Sequence, residues 1–77
     1  MWVIGQDKAM TNLDRIIYIY IEENTFGEFV IEAYFGSEDT DYVWLGEYKT
    51  DLRAQGVLDM IMEGLTSGRK YLELPEE

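Results

Sequence analysis

The chain contains neither cysteine nor histidine. Disulfide frameworks, thiolate or imidazole metal sites, cysteine nucleophiles and histidine-based catalytic triads are therefore excluded. The only serines, Ser37 and Ser67, lie in turn-like sequence without a lysine placed as a base, and no glycine-rich phosphate loop is present. The acidic run from Glu38 to Asp41 lacks the glycine and the terminal glutamate of a calcium loop. The sequence predicts a non-enzymatic protein with no cofactor and no bound metal.

Long apolar runs and basic residues are also scarce. No apolar stretch approaches the roughly 18 residues that a membrane span needs, and residues 1–8 lack the basic start and apolar run of an export signal. Six bases face sixteen acids, which gives a formal net charge of −10, and no base lies between Ile16 and Tyr48. This charge argues against direct binding to nucleic acid or to a membrane and favours a basic partner. The simpler alternative is that the acids only solubilise the turns and edges of a small sheet.

After residue 50, apolar residues recur at three- and four-residue steps, which predicts one helix over residues 50–66. Thr50 is suited to cap the N-terminus of this helix, and Ser67-Gly68 predicts its end. The tail, residues 69–77, either adds a short strand or packs irregularly, and we expect its last three residues to be frayed. The apolar stripe of the helix consists of Ala54, Val57, Leu58, Ile61, Met62 and Leu65.

The chain of 77 residues, 47 % of them apolar, is expected to form a single domain over residues 1–77. All clear strand signals lie within residues 1–48. Alternating side chains predict long strands at 15–22, 28–35 and 42–47, while Trp2–Ile4 and residues 10–13 carry weaker signals. The predicted fold class is α+β: an antiparallel β-meander of three to five strands with one C-terminal helix packed on one face.

The two faces of this predicted sheet differ in chemistry. One face is apolar and is expected to receive the helix; it carries Ile17, Ile19, Ile21, Phe29, Ile31, Phe35, Val43 and Leu45. The opposite face carries Tyr18, Tyr20, Glu22, Glu32, Tyr34, Tyr42 and Trp44. Because no second helix is available, we expect these seven residues to bind a partner. Two alternatives stay open: the N-terminal strand or the tail covers the face, or two copies stack through it.

Three segments carry a resemblance to known sequences. They are the opening Met-Trp-Val-Ile-Gly-Gln-Asp-Lys, the Asn-Leu-Asp before the isoleucine-rich strand, and Gly46 to Thr50 leading into the helix stripe. Together they resemble a family of small uncharacterised proteins from Gram-positive bacteria and their phages, across most of the chain. The resemblance implies a bacterial host cell but brings no functional residue with it; the lack of cysteine and of an export signal favours a cytoplasmic location in that cell.

In size and acidity the chain is also similar in kind to small phage proteins that inhibit host defence, including anti-CRISPR proteins. The expected function is therefore binding and inhibition of a basic host protein, such as a nucleic-acid-binding defence nuclease, through the acidic aromatic face. A structural homodimer without a host target and a small-ligand sponge formed between copies are the alternatives.

Overall fold

A computed structural model describes all 77 residues and has an α+β fold, as predicted. It contains six strands and one α-helix. The strands are β1 (Trp2–Ile4), β2 (Met10–Asn12), β3 (Tyr18–Glu23), β4 (Phe29–Tyr34), β5 (Tyr42–Tyr48) and β6 (Tyr71–Glu73); the helix is α1 (Asp51–Ser67). A single turn of 3-10 helix, Leu13–Arg15, connects β2 to β3.

The strands form two three-stranded sheets, which corrects the prediction of one meander with three to five strands. The first sheet has the order β2-β1-β6, with β1 antiparallel to β2 and parallel to β6. The second has the order β3-β4-β5 and is the predicted antiparallel meander. The prediction missed the first sheet because its three-residue strands are too short to show a clear period.

The hairpin between β3 and β4 is fixed by its turn. The Asn24 side-chain oxygen accepts hydrogen bonds from the backbone N–H groups of Phe26 and Glu28, both at 2.9 Å. Gly27 has a φ of 77°, a left-handed conformation that glycine adopts without a steric penalty. This turn sets the register in which Tyr20 lies opposite Glu32 and Ile21 opposite Ile31.

A β-bulge interrupts the alternation of β5. Ile31 pairs with Gly46 while Glu32 pairs with Trp44, so Leu45 is the extra residue on β5. A Cβ on Gly46 would lie 3.1 Å from the ring of Tyr48, which explains why glycine occupies this position. Beyond the bulge, Tyr48 points into the core and is 2 % exposed.

Helix α1 begins and ends close to the predicted residues. The Thr50 hydroxyl accepts a hydrogen bond from the N–H of Arg53 at 3.1 Å, and Gly68 ends the helix with a φ of 76°. The helix packs against β4, β5 and β6. Its buried residues are Ala54, Val57, Ile61 and Gly64.

One core joins the helix and the inner faces of both sheets. It consists of Val3, Leu13, Ile31, Ala33, Leu45, Tyr48, Ala54, Val57, Ile61, Leu72 and Leu74. Four residues that were expected to be buried between the helix and the sheet are instead exposed: Ile17 (65 %), Phe35 (46 %), Met62 (60 %) and Leu65 (47 %). Ile17 and Phe35 lie outside the ends of β3 and β4, and α1 lies over β4 and β5 rather than over β3.

The C-terminal residues are held by hydrogen bonds rather than frayed. The Tyr48 hydroxyl donates to the Pro75 carbonyl at 2.7 Å, and the Arg53 guanidinium donates to the Glu77 carbonyl at 2.7 and 3.0 Å. The side-chain amide of Gln6 donates to the carbonyls of Glu47, Pro75 and Glu76. These contacts connect the tail to both sheets.

Candidate functional site

The seven residues expected to bind a partner all lie on the outer face of the β3-β4-β5 sheet. Strand register arranges this face in three cross-strand rows, and the residues of each row are neighbours. The rows are Tyr18-Tyr34-Tyr42, Tyr20-Glu32-Trp44 and Glu22-Val30-Glu47. We call these nine residues the open face.

The first sheet and the helix leave the open face uncovered. Tyr18 is 52 %, Tyr42 is 45 % and Trp44 is 37 % exposed. Strand β1, which was one possible cover, instead pairs between β2 and β6, and its central residue Val3 points into the core on the other side of the sheet. The structure therefore does not have the alternative arrangement in which the N-terminal strand or the tail covers this face.

An aromatic cluster joins Tyr18 and Tyr34 of the first row to Tyr20 of the second row. The rings of Tyr18 and Tyr34 are stacked, with centroids 5.0 Å apart and an interplanar angle of 21°. The ring of Tyr20 lies 5.6 Å from that of Tyr18 and is tilted by 46°. Stacked and tilted aromatic pairs restrict the motion of their side chains. These rings should therefore lose less conformational entropy when a partner binds.

The second row places a carboxylate between two aromatic side chains. Glu32 is half-buried, with Tyr20 and Trp44 as its neighbours on the flanking strands. Desolvation raises the pKa of Glu32 above its usual value; a hydrogen bond with the Tyr20 side chain opposes this shift, and the nearby Glu22 carboxylate adds to it. Desolvation, together with the charge of Glu32, raises the pKa of Tyr20 from 10.0 to about 12. Desolvation is the largest cause of both shifts, so this environment disfavours the charged forms of Glu32 and Tyr20.

No cation of the chain neutralises this charge. The ion pairs of the structure join the N-terminal ammonium to Asp14 and Lys8 to Glu73 and Glu76. All three lie outside the open face. Since no base occurs between Ile16 and Tyr48, strands β3 and β4 and all of β5 are free of positive side chains. The open face therefore presents an uncompensated negative field.

The third row contains two residues that the sequence did not identify, Val30 and Glu47. Val30 is only 9 % exposed although it lies outside the main core, and its cross-strand neighbours are Glu22 and Glu47. The Glu47 carboxylate accepts a hydrogen bond from the Asn24 amide at 2.7 Å. Simple alternation from Trp44 assigns Glu47 to the inner face; the bulge at Leu45 reverses that assignment. The glycine at position 46, inside a predicted strand, was the sequence signal that could have indicated this bulge.

Around Val30 the surface forms a shallow depression of about 540 Å³. Its wall includes Tyr20, Trp44 and four acidic residues, and its rim reaches the β3–β4 turn. At the tip of that turn Phe26 is 85 % exposed. A depression with aromatic walls and acidic groups is suited to a long basic side chain, whose methylenes pack on the rings while its charge meets the carboxylates.

Outside the open face, the acidic residue Asp41 has a structural role. The Asp41 carboxylate accepts hydrogen bonds from the backbone N–H groups of Ser37 and Glu38, both at 3.2 Å, and thereby fixes the β4–β5 turn. Across the chain, no three carboxylates converge in a way that could hold a metal ion. The open face is consequently the strongest candidate for function.

The structure has no helix with the length and hydrophobicity that a membrane crossing requires. Comparison with protein-family models, with curated proteins and with solved structures finds no match for this chain.

Proposed function

We propose that the protein is a non-enzymatic inhibitor or modulator that binds a basic surface of a bacterial protein through the open face. The observation that carries this proposal is the central row, in which Glu32 lies half-buried between Tyr20 and Trp44 without a cation partner. A partially desolvated carboxylate gains most when a partner supplies an arginine or lysine at close range.

The chemistry of the surrounding residues points to the kind of partner. Tyrosine and tryptophan are enriched among the residues that dominate binding energy, and the open face has four tyrosines and one tryptophan. Its carboxylates at Glu22, Glu32 and Glu47 are spread over three strands, as the phosphates of a nucleic acid are spread along its backbone. A nucleic-acid-binding channel lined by bases, such as that of a defence nuclease, fits both features.

Two pairs of variants test this proposal. Glu32→Gln removes the central charge while keeping the shape, and Glu63→Gln makes the same change on the exposed side of the helix. Trp44→Ala removes the ring from the open face, while Trp2→Ala removes a comparably exposed ring, 44 % against 37 %, on the other sheet. Circular dichroism first establishes that all four variants are folded.

The immobilised proteins are then exposed to bacterial lysate, and retained proteins are identified by mass spectrometry and purified for affinity measurement. We expect a basic nucleic-acid-binding protein whose affinity falls by roughly tenfold or more in Glu32→Gln and Trp44→Ala and is unchanged in both controls. Increasing salt weakens the binding, because screening reduces attraction between exposed charges. Adding the wild type inhibits nucleic-acid binding by the purified target.

Two results contradict the proposal. One is retention of the same proteins by the wild type and by both open-face variants, since the retained proteins then bind elsewhere. The other is a bound target that continues to bind nucleic acid and whose affinity is insensitive to salt, since that target does not use its basic surface.

A further inference from the structure

The depression around Val30 has aromatic, aliphatic and acidic lining residues but no basic one. Tyr20, Tyr42 and Trp44 supply the aromatic side chains, and Val30, which is only 9 % exposed, supplies an aliphatic one. None of the residues that line the depression is a lysine or an arginine. Charge complementarity therefore predicts a cation as the occupant, and the rings favour a cation that also has apolar or planar parts.

Two carboxylates of the depression are placed to share one ligand. Glu22 lies opposite Val30, and Glu32 is two residues beyond Val30 on the same strand, so Glu22 and Glu32 are diagonal neighbours on one face. Desolvation is the largest cause of the raised pKa of Glu32, and the charge of Glu22 adds to it, so the two carboxylates lie close enough to interact. Neither forms an ion pair within the chain.

The row through Glu32 adds an aromatic side chain on each side of this carboxylate. Tyr20 is its neighbour on β3, and Trp44 is its neighbour on β5. Aromatic faces attract a cation electrostatically, and this attraction grows when the cation has lost part of its water. Because Glu32 is half-buried, a cation that reaches it has to lose part of its hydration shell.

These features favour a guanidinium group over an ammonium group. A guanidinium presents its N–H groups in one plane, so it can donate to the Glu22 and Glu32 carboxylates together while its flat face stacks on an aromatic ring. It is also more weakly hydrated than an ammonium, which lowers the cost of reaching a half-buried carboxylate. A lysine ammonium holds its water more strongly and has no plane that stacks.

We propose that the basic partner inserts one arginine side chain into this depression. The guanidinium lies between Tyr20 and Trp44 and donates to the carboxylates of Glu32 and Glu22, while the methylenes of the arginine pack on Val30. This inference rests on the proposed function, because it names the side chain with which the partner contacts the central row of the open face.

Short peptides of equal length test the choice of cation. The probes are acetyl-Gly-Arg-Gly-amide, the same peptide with lysine, and the same peptide with citrulline, which keeps the shape of arginine without its charge. NMR titration follows the indole N–H signals of the two tryptophans, of which Trp44 lines the depression and Trp2 lies on the other sheet. We expect the arginine peptide to shift the Trp44 signal with a dissociation constant about threefold or more below that of the lysine peptide. The citrulline peptide should leave both signals unchanged.

Glutamine substitutions test the two carboxylates. Glu32→Gln should weaken the binding of both charged peptides by about threefold or more. Glu22→Gln should weaken the arginine peptide more than the lysine peptide, because only the guanidinium uses both carboxylates. Glu63→Gln removes the same charge from the exposed side of α1 and should change neither affinity.

Equal affinities of the arginine and lysine peptides overturn the inference, as does an absent shift of the Trp44 signal or an equal shift of the Trp2 signal. An effect of Glu63→Gln as large as that of Glu32→Gln also overturns it, because the peptides then respond to net charge alone.

These outcomes are separate from those that test the proposed function. A bacterial target that loses affinity in Glu32→Gln, while the peptides show no preference for arginine, contradicts the arginine inference and leaves the proposed function. Arginine-selective peptide binding, without any bacterial target whose nucleic-acid binding is inhibited, supports the arginine site and contradicts the proposed function.

Discussion

Two glycines of α1 provide a test of how the helix is packed. Gly56 and Gly64 both lie inside the helix, where glycine is less favourable than alanine by about 0.8–1.0 kcal/mol. Their surroundings differ. A Cβ on Gly56 meets no atom within 4 Å, whereas a Cβ on Gly64 lies 2.8 Å from Met1 Sδ and 3.3 Å from Met1 Cε. The same substitution should therefore have different results at the two positions.

Gly56→Ala gains the helix propensity and introduces no clash, so the free energy of unfolding should rise by about 0.5–1 kcal/mol. For a domain of this size that gain raises the melting temperature by roughly 2–8 °C. At Gly64 the same gain is opposed by displacement of the Met1 side chain, which is 1 % exposed. Overpacking of a core costs about 1–3 kcal/mol, so Gly64→Ala should leave stability unchanged or lower it.

Thermal and urea unfolding, followed by circular dichroism at a fixed protein concentration, measure both changes. The expected order of stability is Gly56→Ala above wild type, and wild type equal to or above Gly64→Ala. If Gly56→Ala lowers the free energy of unfolding, the space around this residue is not open as described. A Gly64→Ala variant as stable as Gly56→Ala refutes the packing of Met1 against the helix.

Two further predictions concern tyrosines. Tyr48→Phe removes the hydrogen bond to the Pro75 carbonyl and should lower the free energy of unfolding in urea by about 0.5–1.5 kcal/mol, whereas Tyr71→Phe, at a position 62 % exposed, should change it by less than about 0.5 kcal/mol. Equal effects contradict the tail contact. Because the folded pKa of Tyr20 is about 12 against an ordinary 10.0, the unfolded chain loses this proton first, so stability falls as pH rises from 10 to 12. Tyr20→Phe should make this decline less steep; an unchanged slope contradicts the environment assigned to Tyr20.

The long elements were predictable because each shows its period over at least six residues. Strands β3, β4 and β5 and helix α1 lie where alternation and the three- and four-residue steps place them. Thr50 and Gly68 mark the helix ends by local chemistry that needs no tertiary information. The same alternation places Tyr18, Tyr20 and Glu22 on one face together with residues of β4. Their role in binding stays a prediction.

The remaining features depend on contacts between distant parts of the chain. The parallel pairing of β1 with β6 joins two three-residue strands near opposite ends of the sequence, and no local pattern encodes it. The burial of Tyr48 and the outward position of Glu47 depend on a bulge, which a strict period of two misassigns. The exposure of Met62 and Leu65 depends on where α1 lies across the sheet, which the apolar stripe of the helix does not specify.

The central position of β1 has a consequence for the order of folding. Both edges of β1 are used, one by β2 and the other by β6, and Trp2 lies opposite Tyr71. The β3-β4-β5 meander needs only short loop closures and can form as soon as its own residues are available. The β2-β1-β6 sheet cannot be completed before β6 has been synthesised. During synthesis, β1 and its fully buried Val3 therefore remain without a complete sheet until β6 has left the ribosome.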